Sequence, residues 1–302
     1  MLSFSVTGSS DGLLYGYGVL IYNDLRKKFV CNPVTKQLVL TPIPKFRDQL
    51  KNSLALAFDP NHPKFGFSLI QPYIHDVRNC YRFEVYSSKT GEWNLSSVEV
   101  LVPYQDLLKV KGNVYTKEKV YWSLGRYILW FDVEENVAGF LPCPSDRHPF
   151  FCQHSPVHED YYLEIGVYKG DLSYSGITKG GIIQIWLLRS KEGENEMWEM
   201  KHKARLTEII RKHWDVMSFF CKTMEIKSQS RKVIAQTFSR GEAVYPLPYV
   251  GGEVLWFWRR IEYHCGNLFS FNLTTRDLKL AIVDDVWLPV YPFTPSLQPC
   301  PT

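Results

Sequence analysis

A short polar turn signal recurs between runs of strand-forming residues, and this repeat limits what the chain can fold into. In the stretch FVCNPVTKQLVLTPIP at residues 29–44, Asn32 and Thr35 stand between two apolar runs. Side chains of Asn, Asp, Ser and Thr bond to their own backbone in tight turns, so such a pair reverses the chain between two strands. Equivalent turns are predicted at 87–90, 132–135, 188–196, 227–230 and 272–275.

Successive turn anchors are separated by about 48 residues, and a further strand pair precedes most of them. Four-stranded units repeated at this interval are typical of β-propeller blades. The sequence therefore predicts an all-β protein, a β-propeller of six four-stranded blades forming a single domain over residues 1–302. One short helix is expected near 204–214, where apolar residues recur at helical spacing. Ring closure predicts that residues 4–20 lie beside the strand that ends near 281–283.

Composition and charge exclude some classes of function and location. The chain of 302 residues has 35 basic and 31 acidic side chains and a net charge of +4, and the basic residues are scattered. A nucleic-acid partner is therefore not expected, since it requires basic residues gathered on one face. No apolar run is long enough for a membrane span. The seven cysteines, without a CxxC pair, indicate reduced thiols and a location in the cytoplasm or nucleus.

Aromatic residues make up 15% of the chain, and many fall on the predicted hairpin strands. Wide aromatic rings suit a pleated, half-buried surface. We expect most of this set to be buried rather than to form a ligand cage: Tyr86, Trp93, Trp122, Trp130, Phe131, Trp186, Trp198 and Phe271.

Several strings, in this order, resemble the F-box-associated domain of plant F-box proteins, the kelch-like propeller group. They include LALAFDPNHP, FEVYSSKTGEWN, GNVYTKEKVYW, ILWFDVEENVAGFLPCP and GVYKGDLSYS, and the likeness extends from about residue 9 to 285. The resemblance implies the substrate-recognition part of an SCF-type ubiquitin ligase, which presents a target protein for ubiquitination. In that family an F-box precedes the propeller and docks on a Skp-type adaptor, which links it to a cullin.

The F-box itself is missing from this sequence, because Met1 stands just before the first expected propeller strand. Adaptor and cullin binding would then require an F-box supplied upstream, whereas binding of a target protein would not. The alternative is a free-standing propeller that binds a partner protein without ligase activity. A third hypothesis, a propeller enzyme, would need a ligand in the central channel.

No catalytic, metal or cofactor site is expected from the motifs. His148, Cys152, His154 and His158 are ligand types for zinc, but their spacing fits no known zinc site, and prolines mark a loop. The acidic pairs 134–135 and 284–285 are adjacent in sequence, so on a strand their side chains would point to opposite faces. Cys31 follows a strand without a nearby His and is interpreted as a core residue.

Protein binding is expected at irregular inserts, because loops on a rigid scaffold often carry function. The inserts are 61–80, 143–160, 168–181 and 259–266. Tyr and Arg are common anchors of protein interfaces. The aromatic and arginine side chains predicted to be exposed there, and to bind a target protein, are Phe65, Tyr73, Phe151, Tyr174, Arg259 and Tyr263.

Overall fold

The secondary structure in the computed structural model is almost entirely β. The structure describes residues 2–20, 25–46, 53–61, 66–75, 78–102, 110, 112–124, 127–144, 163–177, 182–189, 196–213, 244–247, 249, 254–260 and 266–282. They divide into two compact units, the first ending at Cys143 and the second beginning at Pro144. The expectation of one domain over residues 1–302 stays a prediction.

The first unit contains three antiparallel sheets, each built from one continuous stretch of chain. Sheet 1 consists of β1 (Leu2–Ser10), β2 (Leu13–Leu20), β3 (Leu25–Asn32) and β4 (Gln37–Thr41). Sheet 2 consists of β5 (Ala55–Phe58), β6 (Phe67–His75), β7 (Cys80–Ser87) and β8 (Glu92–Leu95), and the short β9 (Val100–Leu101) also pairs with β7. Sheet 3 consists of β10 (Asn113–Thr116), β11 (Lys119–Ser123), β12 (Tyr127–Asp132) and β13 (Val137–Pro142).

The second unit contains two sheets with the same connectivity. Sheet 4 consists of β14 (Leu163–Tyr168), β15 (Asp171–Ile177), β16 (Ile182–Arg189) and β17 (Met197–Arg205). Sheet 5 consists of β18 (Val244–Pro246), β19 (Val254–Arg260), β20 (Gly266–Asn272) and β21 (Leu278–Ile282). Between the two sheets lies one described helix, α1 (Leu206–Lys212), within the predicted range 204–214.

Every described sheet is an up-and-down meander of consecutive strands, which is the pattern of a propeller blade. The described residues form five such sheets rather than six, and the predicted turn at 227–230 lies outside them. The expectation that residues 4–20 lie beside a strand ending near 281–283 links residues of both units and stays a prediction. In the described pairing β1 is joined to β2 and β21 to β20, so neither sheet mixes the two ends of the chain.

The first hairpin of three sheets has a turn of only two residues. These turns are Asp11–Gly12, Lys117–Glu118 and Lys169–Gly170, and all six residues have positive φ. Such turns match the right-handed twist of the flanking strands. They bring the ends of the first two strands of each sheet close together without a loop.

The hairpin between the third and fourth strands carries the polar anchor, and the predicted turn chemistry is confirmed at Asn32, Asp132 and Asn272. The Oδ1 atom of Asn32 accepts from the backbone N–H groups two and three residues later, at 2.9 and 3.2 Å. Asp132 and Asn272 make the same pair of bonds at 2.8–3.0 Å. The backbone has positive φ four residues after each of these anchors and after a fourth described anchor, Ser87. These positive-φ residues are Lys36, Gly91, Asn136 and Arg276.

The predicted aromatic core is confirmed for most of its members. Tyr86, Trp93, Trp122, Phe131, Trp186 and Phe271 are buried. Trp130 and Trp198 are half-buried. Two apolar clusters lie between neighbouring sheets of the first unit, one joining sheets 1 and 2 and the other joining sheets 2 and 3. A third cluster joins sheets 4 and 5 in the second unit.

Hydrogen bonds to backbone carbonyls hold neighbouring sheets together. In the first unit, the Trp122 indole donates to the Ser53 carbonyl at 2.7 Å, and Asn113 donates to the Leu54 carbonyl at 3.0 Å. In the second unit, the Ser173 hydroxyl donates to the Tyr249 carbonyl at 2.6 Å. These bonds satisfy carbonyls that no strand ladder reaches.

Helix α1 serves as a packing element within the second unit. Ile209 is buried in the cluster between sheets 4 and 5. Just beyond the last turn, the His213 ring donates to the Arg276 carbonyl at 2.6 Å, and Lys212 donates to the Thr275 carbonyl at 3.2 Å. The helix therefore supports the β20–β21 turn. Among the described residues, no helix has the length and apolar character needed to cross a membrane.

Candidate functional site

The residues predicted to bind a target fall into three groups. Phe65, Phe151 and Tyr263 lie outside the described residues. Arg259 lies on β19, paired with Val244 on one side and Asn267 on the other. Their role in binding stays a prediction.

For the other two predicted residues, the expectation of exposed side chains is wrong. Tyr73 lies on β6 and Tyr174 on β15, and their side chains are only 3% and 6% exposed. The ring of Tyr174 packs on Trp198, with centroids 5.9 Å apart. Tyr73 is covered in a different way, by a segment that follows β4.

This segment, residues 42–46, is called the strap, and it has the sequence PIPKF. It leaves sheet 1 and is fastened to sheet 2. The Trp93 indole on β8 donates to the Pro42 carbonyl at 2.8 Å. Prolines at positions 42 and 44 remove two backbone donors, which disfavours another strand here. The strap therefore passes over sheet 2 as an irregular connection, with bends at residues 45 and 46.

Glu84 on β7 fixes the far end of the strap. Its Oε1 accepts from the Lys45 N–H at 3.0 Å and its Oε2 accepts from the Phe46 N–H at 3.1 Å. The Glu84 side chain is buried at 2% exposure. A buried carboxylate is costly unless its oxygens are hydrogen-bonded, and two backbone donors meet that need.

The Phe46 ring lies flat on the buried Tyr73. Their centroids are 4.4 Å apart and their planes differ by 6°. Burial raises the pKa of the Tyr73 hydroxyl, so it remains a neutral phenol. One face of the Phe46 ring therefore packs against Tyr73, while 39% of the residue surface remains exposed.

Two further apolar side chains lie exposed beside this stack. Ile43 on the strap is 53% exposed, and Leu95, which pairs with Glu84, is 46% exposed. Together Ile43, Phe46 and Leu95 form the strap surface. Exposed apolar groups held on a rigid frame are typical of interaction sites.

Arginines border the strap surface. Arg82 lies directly across the strand pair from Tyr73. It shares Glu99 with Arg78, at 3.0 and 2.9 Å respectively. Hydrogen bonding from Arg78 is the main cause that lowers the pKa of Glu99. The surface therefore combines an aromatic ring, aliphatic side chains and arginine, a composition common at protein interfaces.

The described residues show no arrangement suited to nucleophilic catalysis. His75 lies opposite Cys80 at the end of the β6–β7 hairpin. However, burial raises the pKa of the Cys80 thiol, and likewise that of Cys31, which disfavours the reactive thiolate. Glu134 and Glu135 lie exposed in the β12–β13 turn, as predicted. No group of His, Cys, Asp or Glu in the described part of the chain is placed to hold a metal ion.

Two groups of residues from the sequence analysis lie outside the described residues. They are the acidic pair 284–285 and the possible zinc ligands His148, Cys152, His154 and His158.

A family model described as F-box protein At3g26010-like, beta-propeller, matches residues 2–226 of the chain. The chain belongs to this family. Its fold is accordingly an all-β propeller, and the described meanders are its blades. Membership in an F-box-protein type of propeller family is consistent with a protein-binding role, and propellers of this type are typically binding modules without catalytic activity. No curated protein matches the sequence.

Solved structures similar to this chain share little sequence with it. A puromycin-hydrolyzing peptidase from Mycobacterium tuberculosis has a TM-score of 0.44 and 8% identity, and the likeness covers 94% of this chain and 38% of the peptidase. The SapL1 lectin in complex with alpha methyl fucoside has a TM-score of 0.43 and 9% identity, covering 92% and 78%. The Nup133 β-propeller domain of Vanderwaltozyma polyspora has a TM-score of 0.43 and 11% identity, covering 91% and 73%. Scores this low carry none of these activities over to this chain.

The strap surface of this At3g26010-like propeller was not predicted from the sequence. One feature of the sequence indicates this surface, namely the run TPIPKF, an apolar stretch with prolines directly after a strand. A glutamate inside an otherwise apolar strand, Glu84 in CYRFEVYS, is the second signal, because a buried carboxylate requires nearby donors. The two signals are about forty residues apart, and only the fold joins them.

Proposed function

We propose that the chain is the target-binding propeller of an SCF-type ubiquitin ligase and presents a bound protein for ubiquitination. The observation that carries this proposal is the family match over residues 2–226. In the proposed assembly an F-box supplies the contact with a Skp-type adaptor and a cullin. The propeller supplies the contact with the target.

We assign target contact in the first unit to the strap surface. Phe46 offers an exposed ring whose position is fixed by stacking on Tyr73. The strap backbone is held at Pro42, Lys45 and Phe46, so little conformational freedom remains to be lost on binding. Preorganised aromatic groups of this kind are frequent hot spots of protein interfaces.

Target binding is tested by affinity capture with the full chain and with a double variant, Ile43→Ser with Phe46→Ala. The variant should lose the proteins that the parent chain retains. Its melting temperature should fall only through the lost stack of Phe46 on Tyr73, because Ile43 is exposed and the strap remains fastened by backbone bonds. Met197→Ala is the matched control, since Met197 is 62% exposed on β17 of the second unit. Equal capture by the parent and the double variant would show that the target binds elsewhere.

Ligase function is tested separately by placing an F-box upstream of residue 1. The fusion should bind a Skp-type adaptor and support ubiquitination of a captured target in a reconstituted reaction. A fusion that binds both the adaptor and the target without ubiquitin transfer would contradict the ligase proposal. It would favour a propeller that binds a partner without ligase activity.

A further inference from the structure

A β-bulge in the second unit directs one lysine across the face of sheet 4. In the pairing of β16 with β17, Ile185 lies opposite His202 and Trp186 lies opposite Met200. Lys201 is therefore the extra residue, without a partner in the strand register. Bulges of this kind redirect a side chain and are frequent near functional sites.

The redirected side chain lies over an aromatic pair. The Lys201 ammonium is 3.3 Å from the centroid of the Tyr168 ring and 5.7 Å from that of Tyr249. The two rings are themselves packed, with centroids 5.2 Å apart. Contact between a cation and aromatic faces is favourable and holds the ammonium in place.

A second lysine approaches the same ring from the β14–β15 turn. The Lys169 ammonium is 5.5 Å from the centroid of Tyr168. We call Tyr168, Lys169, Lys201 and Tyr249 the lysine–tyrosine cluster. Because Tyr249 is buried and Tyr168 half-buried, the rings form a fixed floor, whereas Lys169 is exposed.

Acidic residues described on sheet 4 are engaged elsewhere. Asp171 and Glu199 lie on the same sheet, but both contact Arg189. Among the described residues, no carboxylate lies within ion-pair distance of Lys169 or Lys201. A hydrogen bond with Lys201 is the main cause that lowers the pKa of the Tyr168 hydroxyl, and the charges of Lys201 and Lys169 lower it further.

The turn beside the cluster is open at Gly170. A methyl group added at Gly170, in the two-residue turn beside Lys169, would meet no atom within 4 Å. Lys169 lies in this exposed turn, and Lys201 on β17 is half-buried. The site combines two cationic donors with an aromatic floor.

We propose that the lysine–tyrosine cluster binds a carboxylate or phosphate group carried by an acidic segment of a partner protein. An oxyanion between two ammonium groups gains charge-assisted hydrogen bonds from both. The aromatic floor limits the motion of Lys201, which reduces the entropy lost on binding. This inference rests on the proposed function only in taking the partner to be a protein.

The test measures fluorescence anisotropy of labelled peptides of equal length with the full chain. One peptide is rich in glutamate, one carries phosphoserine in place of glutamate, and one carries glutamine. The parent chain should bind the glutamate or the phosphoserine peptide at least roughly tenfold more tightly than the glutamine peptide, and added salt should weaken the binding. Comparison of the two acidic peptides distinguishes carboxylate from phosphate as the preferred group.

The variant Lys169→Asn with Lys201→Met removes both charges, keeps the Lys201 stem, and places Asn at a position with a φ of 52°. It should lose the preference for acidic peptides. The matched control is Lys203→Met with Lys279→Met, two exposed lysines on the same unit, which should bind like the parent. Lys201→Arg should retain the preference. Ultraviolet titration should also show the Tyr168 pKa rising in the first variant, which reports on the site itself.

Two results would overturn the inference. One is equal affinity of the parent chain for the acidic and glutamine peptides. The other is an equal loss of affinity in the double variant and in the matched control, which would indicate a general charge effect. Neither result bears on capture through Ile43 and Phe46, so failure here is distinguishable from failure of the proposed function.

Discussion

The fastening of the strap by Glu84 makes a quantitative prediction. In the variant Glu84→Gln, one carboxylate oxygen is replaced by an NH2 group. This group cannot accept from the Lys45 or the Phe46 N–H, so at least one of the two bonds is lost. The side chain keeps its size, and so the packing around it is preserved.

The size of the effect follows from the nature of the lost bond. A hydrogen bond to a charged group contributes about 1.5–3 kcal/mol, and the Glu84 carboxylate is only 2% exposed, so water does not replace it fully. If this free energy holds the strap on sheet 2, its loss raises the fraction of time the strap is detached. At 1.4 kcal/mol for each factor of ten, the increase is roughly 10- to 100-fold.

Amide hydrogen exchange measures this detachment directly. The N–H groups of Lys45 and Phe46 should exchange roughly 10 to 100 times faster in Glu84→Gln, whereas amides in sheet 3 should change much less. Glu92→Gln is the matched control, because Glu92 lies exposed on β8 of the same sheet. Unchanged exchange at positions 45 and 46 in Glu84→Gln would refute the argument that this carboxylate holds the strap.

Three other substitutions test separate parts of the structure. Trp122→Ala should lower the free energy of unfolding by about 3–5 kcal/mol in urea titration, because the residue is fully buried and its indole bonds to the Ser53 carbonyl. The control Leu101→Ala, at a position 75% exposed, should change the free energy of unfolding little. A near-zero effect of Trp122→Ala would contradict its role in the core. Asp132→Ala should lower the free energy of unfolding by about 1–2 kcal/mol, because two turn hydrogen bonds are lost. Asp132→Asn should recover most of this loss, since Asn makes the same turn at positions 32 and 272. Equal instability of both variants would show that the turn bonds are unimportant. Glu99→Gln tests the pH dependence of stability. Arg78 and Arg82 lower the pKa of Glu99 below its ordinary value of 4.5. The stability that these ion pairs add is therefore complete above pH 4.5 and is lost as the pH falls through the lowered pKa of Glu99. The difference in melting temperature between the parent and Glu99→Gln should thus disappear in strong acid, and a difference that persists there would have another cause.

The turns could be predicted from sequence because their chemistry is local. Asn32, Asp132 and Asn272 each bond to N–H groups only two and three residues away, so the signal and the structure occupy the same short window. The aromatic core was predicted for a related reason. Alternation along a hairpin strand decides which face a ring occupies, and that face packs on the next sheet.

Tyr174 was misplaced because the partners of its strand are distant in sequence. The stretch 168–181 was predicted to be an irregular insert, but Tyr174 lies within β15. Ser173 and Ser175 donate to the carbonyls of Tyr249 and Leu247, at 2.6 and 3.3 Å. These bonds make serine suitable inside a buried strand, and no local pattern reveals them.

Tyr73 was misplaced for a different reason, since Pro72 precedes it. A proline usually argues against a central strand, because it lacks a backbone donor. Here Pro72 lies within β6, opposite Phe83. The Phe83 carbonyl accepts instead from the Ser96 N–H, at 2.9 Å. The strap surface was missed for the same general reason, because the contact between residue 84 and residues 45–46 exists only in the folded protein.

The contiguous make-up of each described sheet has a consequence for biosynthesis. Since no described sheet borrows a strand from a distant part of the chain, its ladders can close as soon as its own segment has left the ribosome. Connections of two to eight residues between consecutive strands of a sheet keep these pairings local and fast. Bonds between sheets, such as that from Trp122 to Ser53, join segments that emerge one after the other. The order of translation can therefore serve as the order of assembly, and an early sheet need not wait, with unpaired edges, for the end of the chain.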